Sequence, residues 1–196
     1  MRLGVAHHLG WAVVVAAGDD HEVVDRRRIE LVEPGVSTAP IHHDGGPHEL
    51  HRVGPPLGDA ALAKLVAEVR ASAGRASSAS LDRLERELDG PIVSLSVRDW
   101  PQDHPSDLAT LRRAPYESRA DSVMYCQVLA ELARDRGWDV HRFDAKTVEA
   151  AATERLGDRA EAVLHGPRSV LGPPWAKDHR VALAATVMAA KPAATD

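Results

Sequence analysis

The sequence predicts an α/β fold, a five-stranded mixed sheet with helices on both faces. Three observations predict it. The first 32 residues read as three consecutive strands, residues beyond 59 alternate helical periodicity with short β-branched runs, and Gly/Pro signals separate the segments. A hairpin-led edge followed by crossover strands is the sheet that this order demands.

Leu3–Ala6, Trp11–Ala17 and Val23–Val32 form the predicted antiparallel meander, divided by His7–Gly10 and by the turn Gly18-Asp19-Asp20. Residues 34–58 are rich in proline, glycine and histidine and read as an insertion, with a small hairpin expected to close on Asp44-Gly45-Gly46. Asp59 caps a predicted helix whose Leu62, Leu65, Val66, Val69 and Ala73 share one face, and Gly74 is expected to end it. Ser80 then starts a shorter helix carrying Leu81, Leu84 and Leu88, stopped by Asp89-Gly90-Pro91. The run IVSLSV follows as a buried fourth strand.

Residues 99–117 are polar and interrupted by proline. Ser118 and Asp121 form a capping-box-like start to a helix through Met124, Val128, Leu129 and Leu132, closed by Gly137. Trp138–Phe143 is the fifth strand. Helical segments near Thr147–Leu156 and Arg159–Leu164, a Gly/Pro loop at 166–174 and a last helix to about Ala190 complete the chain. Its 196 residues suit a single domain, 1–196.

The balance of 24 Lys and Arg against 29 Asp and Glu leaves a net charge of −5, so no global basic field advertises a nucleic-acid partner. Cys126 is the only cysteine, which excludes an internal disulfide and any multi-cysteine zinc site, and it reads as a core filler. LGWAVVVAAG has the apolarity of a signal-peptide core, but only Arg2 precedes it and His7-His8 interrupt the approach. The expectation is a cytoplasmic protein without a membrane partner. Neither G-x-x-x-x-G-K nor G-x-G-x-x-G occurs, so no nucleotide cofactor is expected.

Several stretches resemble one family in collinear order. LGVA followed by GWAVV is similar to the first hairpin of RuvC-type Holliday-junction resolvases, within the RNase H-like superfamily. GPIVSLSV is similar to their fourth strand, WDVHRFDAKTVEAA to their fifth strand and following helix, and DHRVALAATVMA to their last helix. The resemblance implies an RNase H-like arrangement in which the β1-β2-β3 meander is joined by parallel crossovers β4 and β5. It also implies a nucleic-acid partner and a homodimer.

It further implies four carboxylates: an Asp in strand one, a Glu at the end of strand four and two Asp in the last helix. Hard oxygen ligands of this kind hold the two magnesium or manganese ions of a phosphodiester displacement. Here Ala6 stands at the first position, with His7 and His8 immediately after. Val97, Arg98 and Asp99 are alignable at the second. Asp178 matches the third and Val181 stands at the fourth. Asp178 and Asp99 are therefore the candidate catalytic residues, and Asp178, Asp99, His7 and His8 the candidate metal ligands. Each has a plainer reading. The histidines also suit an ordinary polar turn, Asp178 a helix N-terminus, and Asp99 a strand exit. Imidazole suits zinc, nickel or copper better than magnesium.

A second candidate cluster lies in PIHHDGGPHELH, where His42, His43, His48 and His51 could take zinc; a solvated loop is the competing reading. Arg26-Arg27-Arg28, with Arg112-Arg113 and Arg119, would make a phosphate-contacting face if the fold assembled them, but alternation along a strand splits the first three. Three functional expectations follow. They are a catalytically degenerate RuvC-like binding or assembly module on nucleic acid, a metal-dependent nuclease with a rearranged Asp/His site, and a transition-metal protein using residues 42–51.

Overall fold

A computed structural model describes residues 1–46 and 54–190. Strands β1 (Arg2–His7), β2 (Trp11–Ala17) and β3 (Val23–Glu30) form the expected meander; β4 (Ser94–Arg98) and β5 (Asp139–Phe143) follow as crossovers. The sheet order is β3-β2-β1-β4-β5. β1 is antiparallel to β2 and parallel to β4, and β4 is parallel to β5. The first strand is thus central and lies beside the fourth.

Alternation sorts each strand between two apolar layers. Leu3 and Val5 of β1 join Val14, Leu95 and Val97 on the face covered by α1 (Asp59–Glu87) and α3 (Glu117–Asp135), where Ala73, Leu81, Leu84, Tyr125 and Leu129 meet them. Ala6, Val13 and Val15 face the opposite layer, formed by α4 (Val148–Leu156), α5 (Ala160–Leu164) and α7 (Lys177–Ala189) through Val148, Ala152, Leu164, Leu183 and Val187. α7 crosses β1 very closely: a Cβ built on Gly4 would lie 1.8 Å from the carbonyl oxygen of Ala182. Only glycine leaves room for that crossing.

Five local expectations are corrected. Gly74 does not end a helix, because α1 runs unbroken for 29 residues. A glycine costs a helix about 1 kcal/mol, and the buried stripe Ala73, Ser77, Leu81 and Leu84 outweighs it by continuing at helical spacing. The hairpin expected around Asp44–Gly46 is instead a single π-helical turn, Pro40–Gly45. The carboxylate of Asp121 accepts the N–H groups of Ile41, at 3.2 Å, and His42, at 2.9 Å, which fixes the turn from α3. Asp121 therefore serves this turn rather than a capping box. The loop at 166–174 contains a short helix, α6 (Pro167–Leu171), with proline in its first turn, where its missing N–H is harmless. A further short helix, α2 (Leu108–Leu111), interrupts the polar stretch, with Asp107 accepting from the N–H of Thr110 at 2.8 Å.

The arginines of β3 do not converge on one face. Arg27 pairs with Asp25 and with Glu87 of α1, whereas Arg26 donates to the carbonyls of Leu171 and Pro174 on the other side. Arg112 is held by Asp59 and the carbonyls of Gly45 and Leu57. Their separate partners explain the residues as fasteners of the fold.

Candidate functional site

The candidate residues gather at one end of the sheet, where β1 passes into the β1–β2 turn, β4 ends and α7 begins. Strand alternation sends neighbouring histidines apart. His7, last in β1, points with Leu3 and Val5 toward α3, where its Nε2 lies 2.8 Å from Ser122 Oγ and 3.5 Å from Cys126 Sγ. Burial, followed by the positive charges of Arg98 and of His8 when protonated, pushes its pKa down to about 3, so the imidazole is neutral at ordinary pH. His8 turns the other way. Its Nε2 lies 2.9 Å from Asp178 Oδ2, at the start of α7, and its ring stacks on Trp11 with centroids 4.1 Å apart. Arg28 also rests on the Trp11 ring, 4.3 Å from its centroid.

At the exit of β4, Val97 is buried in the core and Arg98 is exposed. Asp99 accepts from Nε of Arg142 on β5 at 2.6 Å, and the same guanidinium donates to the carbonyl of Trp100 at 2.7 Å while lying over its indole. Val181 is buried in the second core layer. Ala6 is buried there too. So the structure brings Asp178 to His8 and Asp99 to Arg142, while His7 joins Ser122 and Cys126.

These side chains do not fit the pair of divalent cations that the resemblance implies. Two of the four carboxylate positions are alanine and valine, and each remaining aspartate is satisfied by a partner from another element. No group of three His, Cys, Asp or Glu able to hold a metal ion occurs among the described residues. A cleft of about 260 Å³ does open here, lined by Arg98, Asp99, Trp100, Ser118, Arg119 and Ser122. Among the described residues neither Arg98 nor Arg119 forms an ion pair with a carboxylate, whereas Arg142 does.

The histidine cluster stands elsewhere. His42 and His43 lie on the π-helical turn, with ring centroids 5.3 Å apart; His48 and His51 lie outside the described residues. Beside the turn is Glu117, the first residue of α3, which is only 4% exposed. Its Oε1 has no hydrogen-bond partner among the described residues and sits 3.8 Å from Nδ1 of His42. Glu117 escaped sequence reasoning, and Asp121 was read only as part of a helix cap, because acids in the first turns of a helix ordinarily face water. Burial also raises the carboxyl of Asp121 to about 6. Cys126 is buried as expected, with its thiol pushed up to about 12 by burial and so unreactive.

No protein-family model matches the chain, and no curated protein matches it either. Solved structures do. Thermus thermophilus RuvC in complex with a Holliday junction substrate aligns over 96% of this chain and 93% of its own, at 11% identity and a TM-score of 0.50. Another Thermus thermophilus RuvC structure covers 95% of this chain and 90% of its own at 14% identity, with a TM-score of 0.46. At such identities the likeness to the junction-bound structure establishes the fold, which is RuvC-like and RNase H-like. No described helix is long and apolar enough to cross a membrane.

Proposed function

We propose that this chain is a RuvC-like RNase H-fold protein without a working nuclease centre, which acts in the cytoplasm as a nucleic-acid-associated binding or assembly module and pairs as a homodimer. One observation carries the reading. The two remaining carboxylates, Asp99 and Asp178, are each occupied by a basic partner from a different element, Arg142 and His8. Carboxylates engaged in this way serve the fold, and no group of three His, Cys, Asp or Glu able to hold a metal ion stands with them among the described residues. The same end of the sheet offers positive charge instead: Arg98 and Arg119 flank the cleft with guanidinium groups suited to phosphate oxygens. One RuvC neighbour is in complex with a Holliday junction substrate, which motivates branched DNA as the probe.

The test is a gel-shift series with branched and single-stranded DNA at rising salt, together with incubation in magnesium or manganese. Salt-sensitive binding without cleavage is expected, with the salt slope reduced by about 1 for each of Arg98→Gln and Arg119→Gln. Cleavage that disappears in Asp178→Ala would instead establish a rearranged nuclease. Absence of a shift at low salt would confine the module to protein partners.

A second reading rests on Glu117. Zinc bonds to imidazole nitrogen and carboxylate oxygen are about 2.0 to 2.2 Å long, so one ion fits between His42 Nδ1 and Glu117 Oε1 at their separation of 3.8 Å. The described residues supply only these two ligands. Zinc titration of the untagged protein tests the reading: a rise in melting temperature abolished by Glu117→Gln supports it, and an unchanged melting temperature counts against it.

A further inference from the structure

The sheet face beneath α4 and α7 carries a polar group at the end remote from the cleft. There Arg2, Ser94 and Asp139 stand in register on β1, β4 and β5. With His141 they floor a cavity of about 680 Å³, walled by the β2–β3 turn at Asp19–His21, by Arg155 and Leu156 at the end of α4, by Arg159, and by Ala189 and Ala190 after α7. Its volume falls within the range of small-molecule sites.

Two buried polar groups in this floor lack hydrogen-bond partners among the described residues: Arg2 Nε and Ser94 Oγ. Arg2 is 7% exposed and Ser94 3%. Leaving such groups unsatisfied is unfavourable, and both atoms are closed off from the cavity itself. The other arginines are oriented without being neutralised. Arg155 donates to the carbonyls of Met188 and Ala190, Arg159 donates to that of Asp20 at 3.1 Å, and neither pairs with a carboxylate among the described residues. Arg2 does meet a carboxylate, that of Asp19, at 3.2 Å, but that side chain is fully exposed. The pKa of His21 is lowered first by burial and then by Arg2, Arg159 and Arg155, against the opposing Asp20.

We propose that this cavity binds the phosphomonoester of a small polyhydroxylated molecule, with the phosphate among Arg2, Arg155 and Arg159 and the hydroxyl groups toward Asp139 and His141. Guanidinium groups are donors matched to phosphate oxygens. A carboxylate and an imidazole on the neighbouring strand are acceptors matched to sugar hydroxyls. No Trp, Tyr or Phe lines the cavity among the described residues, so a base would have only imidazole and guanidinium planes to stack on.

Calorimetric titration of the full chain with ribose 5-phosphate, inorganic phosphate and ribose tests the proposal. Ribose 5-phosphate is expected to bind most tightly, inorganic phosphate more weakly and ribose not measurably. Arg155 and Arg159 are exposed, so Arg155→Gln and Arg159→Gln should keep the melting temperature of the ligand-free protein while each weakens binding about tenfold, the equivalent of 1.4 kcal/mol. Equal affinity for the two phosphates would overturn the polyol part of the assignment. No binding, or binding undiminished in the double variant, would overturn the site altogether.

Discussion

Nε2 of His8 and Oδ2 of Asp178 lie 2.9 Å apart across 170 positions of sequence. The contact fastens the start of α7 to the β1–β2 turn, and the stack of His8 on Trp11 holds the imidazole in place. The residue that best matches the family's last-helix acid is thus a clasp. With side chains 44% and 36% exposed, solvent screens the pair. A double-mutant cycle of His8→Ala and Asp178→Ala, measured by urea unfolding, should give a coupling of about 0.5 kcal/mol and no more than about 1. A coupling of several kcal/mol would show that the clasp matters far more than an exposed pair can.

Two glycines should respond to alanine in opposite directions. At Gly4 the added methyl group meets the backbone of Ala182, which cannot rotate away, so β1 and α7 must separate. Gly4→Ala should lose about 3 kcal/mol of stability. At Gly74, inside α1, nothing lies within 4 Å of the new Cβ. Gly74→Ala should gain about 0.5 to 1 kcal/mol through helix propensity. Chemical denaturation of both variants checks the pair, and destabilisation by Gly74→Ala would mean that α1 needs its glycine.

The same contrast explains what was legible in the sequence. Element type was readable because it repeats: the short apolar runs of the strands and the stripe Leu62, Val69 and Ala73 on α1 each carry their own period. Gly74 misled because a glycine is a local signal worth about 1 kcal/mol, set against packing that begins before it and resumes after it. The candidate residues were legible as residue types and not as a site. Nothing local announces that Asp99 will meet Arg142, 43 positions away, or that Ser122 will lie under His7. Charge partnership at these distances is settled by topology alone.

Asp121 should prove important for stability although it lies outside the cleft. Its carboxylate accepts two backbone N–H groups of the π-helical turn from a position only 3% exposed. Asp121→Ala leaves both donors without their partner and should cost about 2 to 3 kcal/mol. Asp121→Asn, which keeps one acceptor oxygen, should cost less. Equal losses in the two variants would indicate that packing volume, rather than the acceptor, holds the turn.

His7 should make the protein acid-sensitive in a defined window. Its pKa is 6.5 when exposed and about 3 in the fold. Below pH 6.5 the unfolded chain therefore binds a proton that the folded chain refuses, and stability falls as pH drops from 6.5 toward 3, by an amount on the order of several kcal/mol. Asp121 acts with the opposite sign, since its carboxyl is raised from 3.8 to about 6 and the fold takes up the proton first. Acidification from pH 6 to 4 gains stability from that group, which offsets part of the loss at His7. In His7→Gln the amide can still accept from Ser122 but cannot titrate, which removes the His7 contribution, while His21, His104 and His179, whose pKa values are also lowered first by burial, keep theirs of the same sign. Urea midpoints measured from pH 7 to pH 4 should fall in the parent protein and fall less steeply in His7→Gln. Parallel falls in both would move the acid sensitivity away from His7.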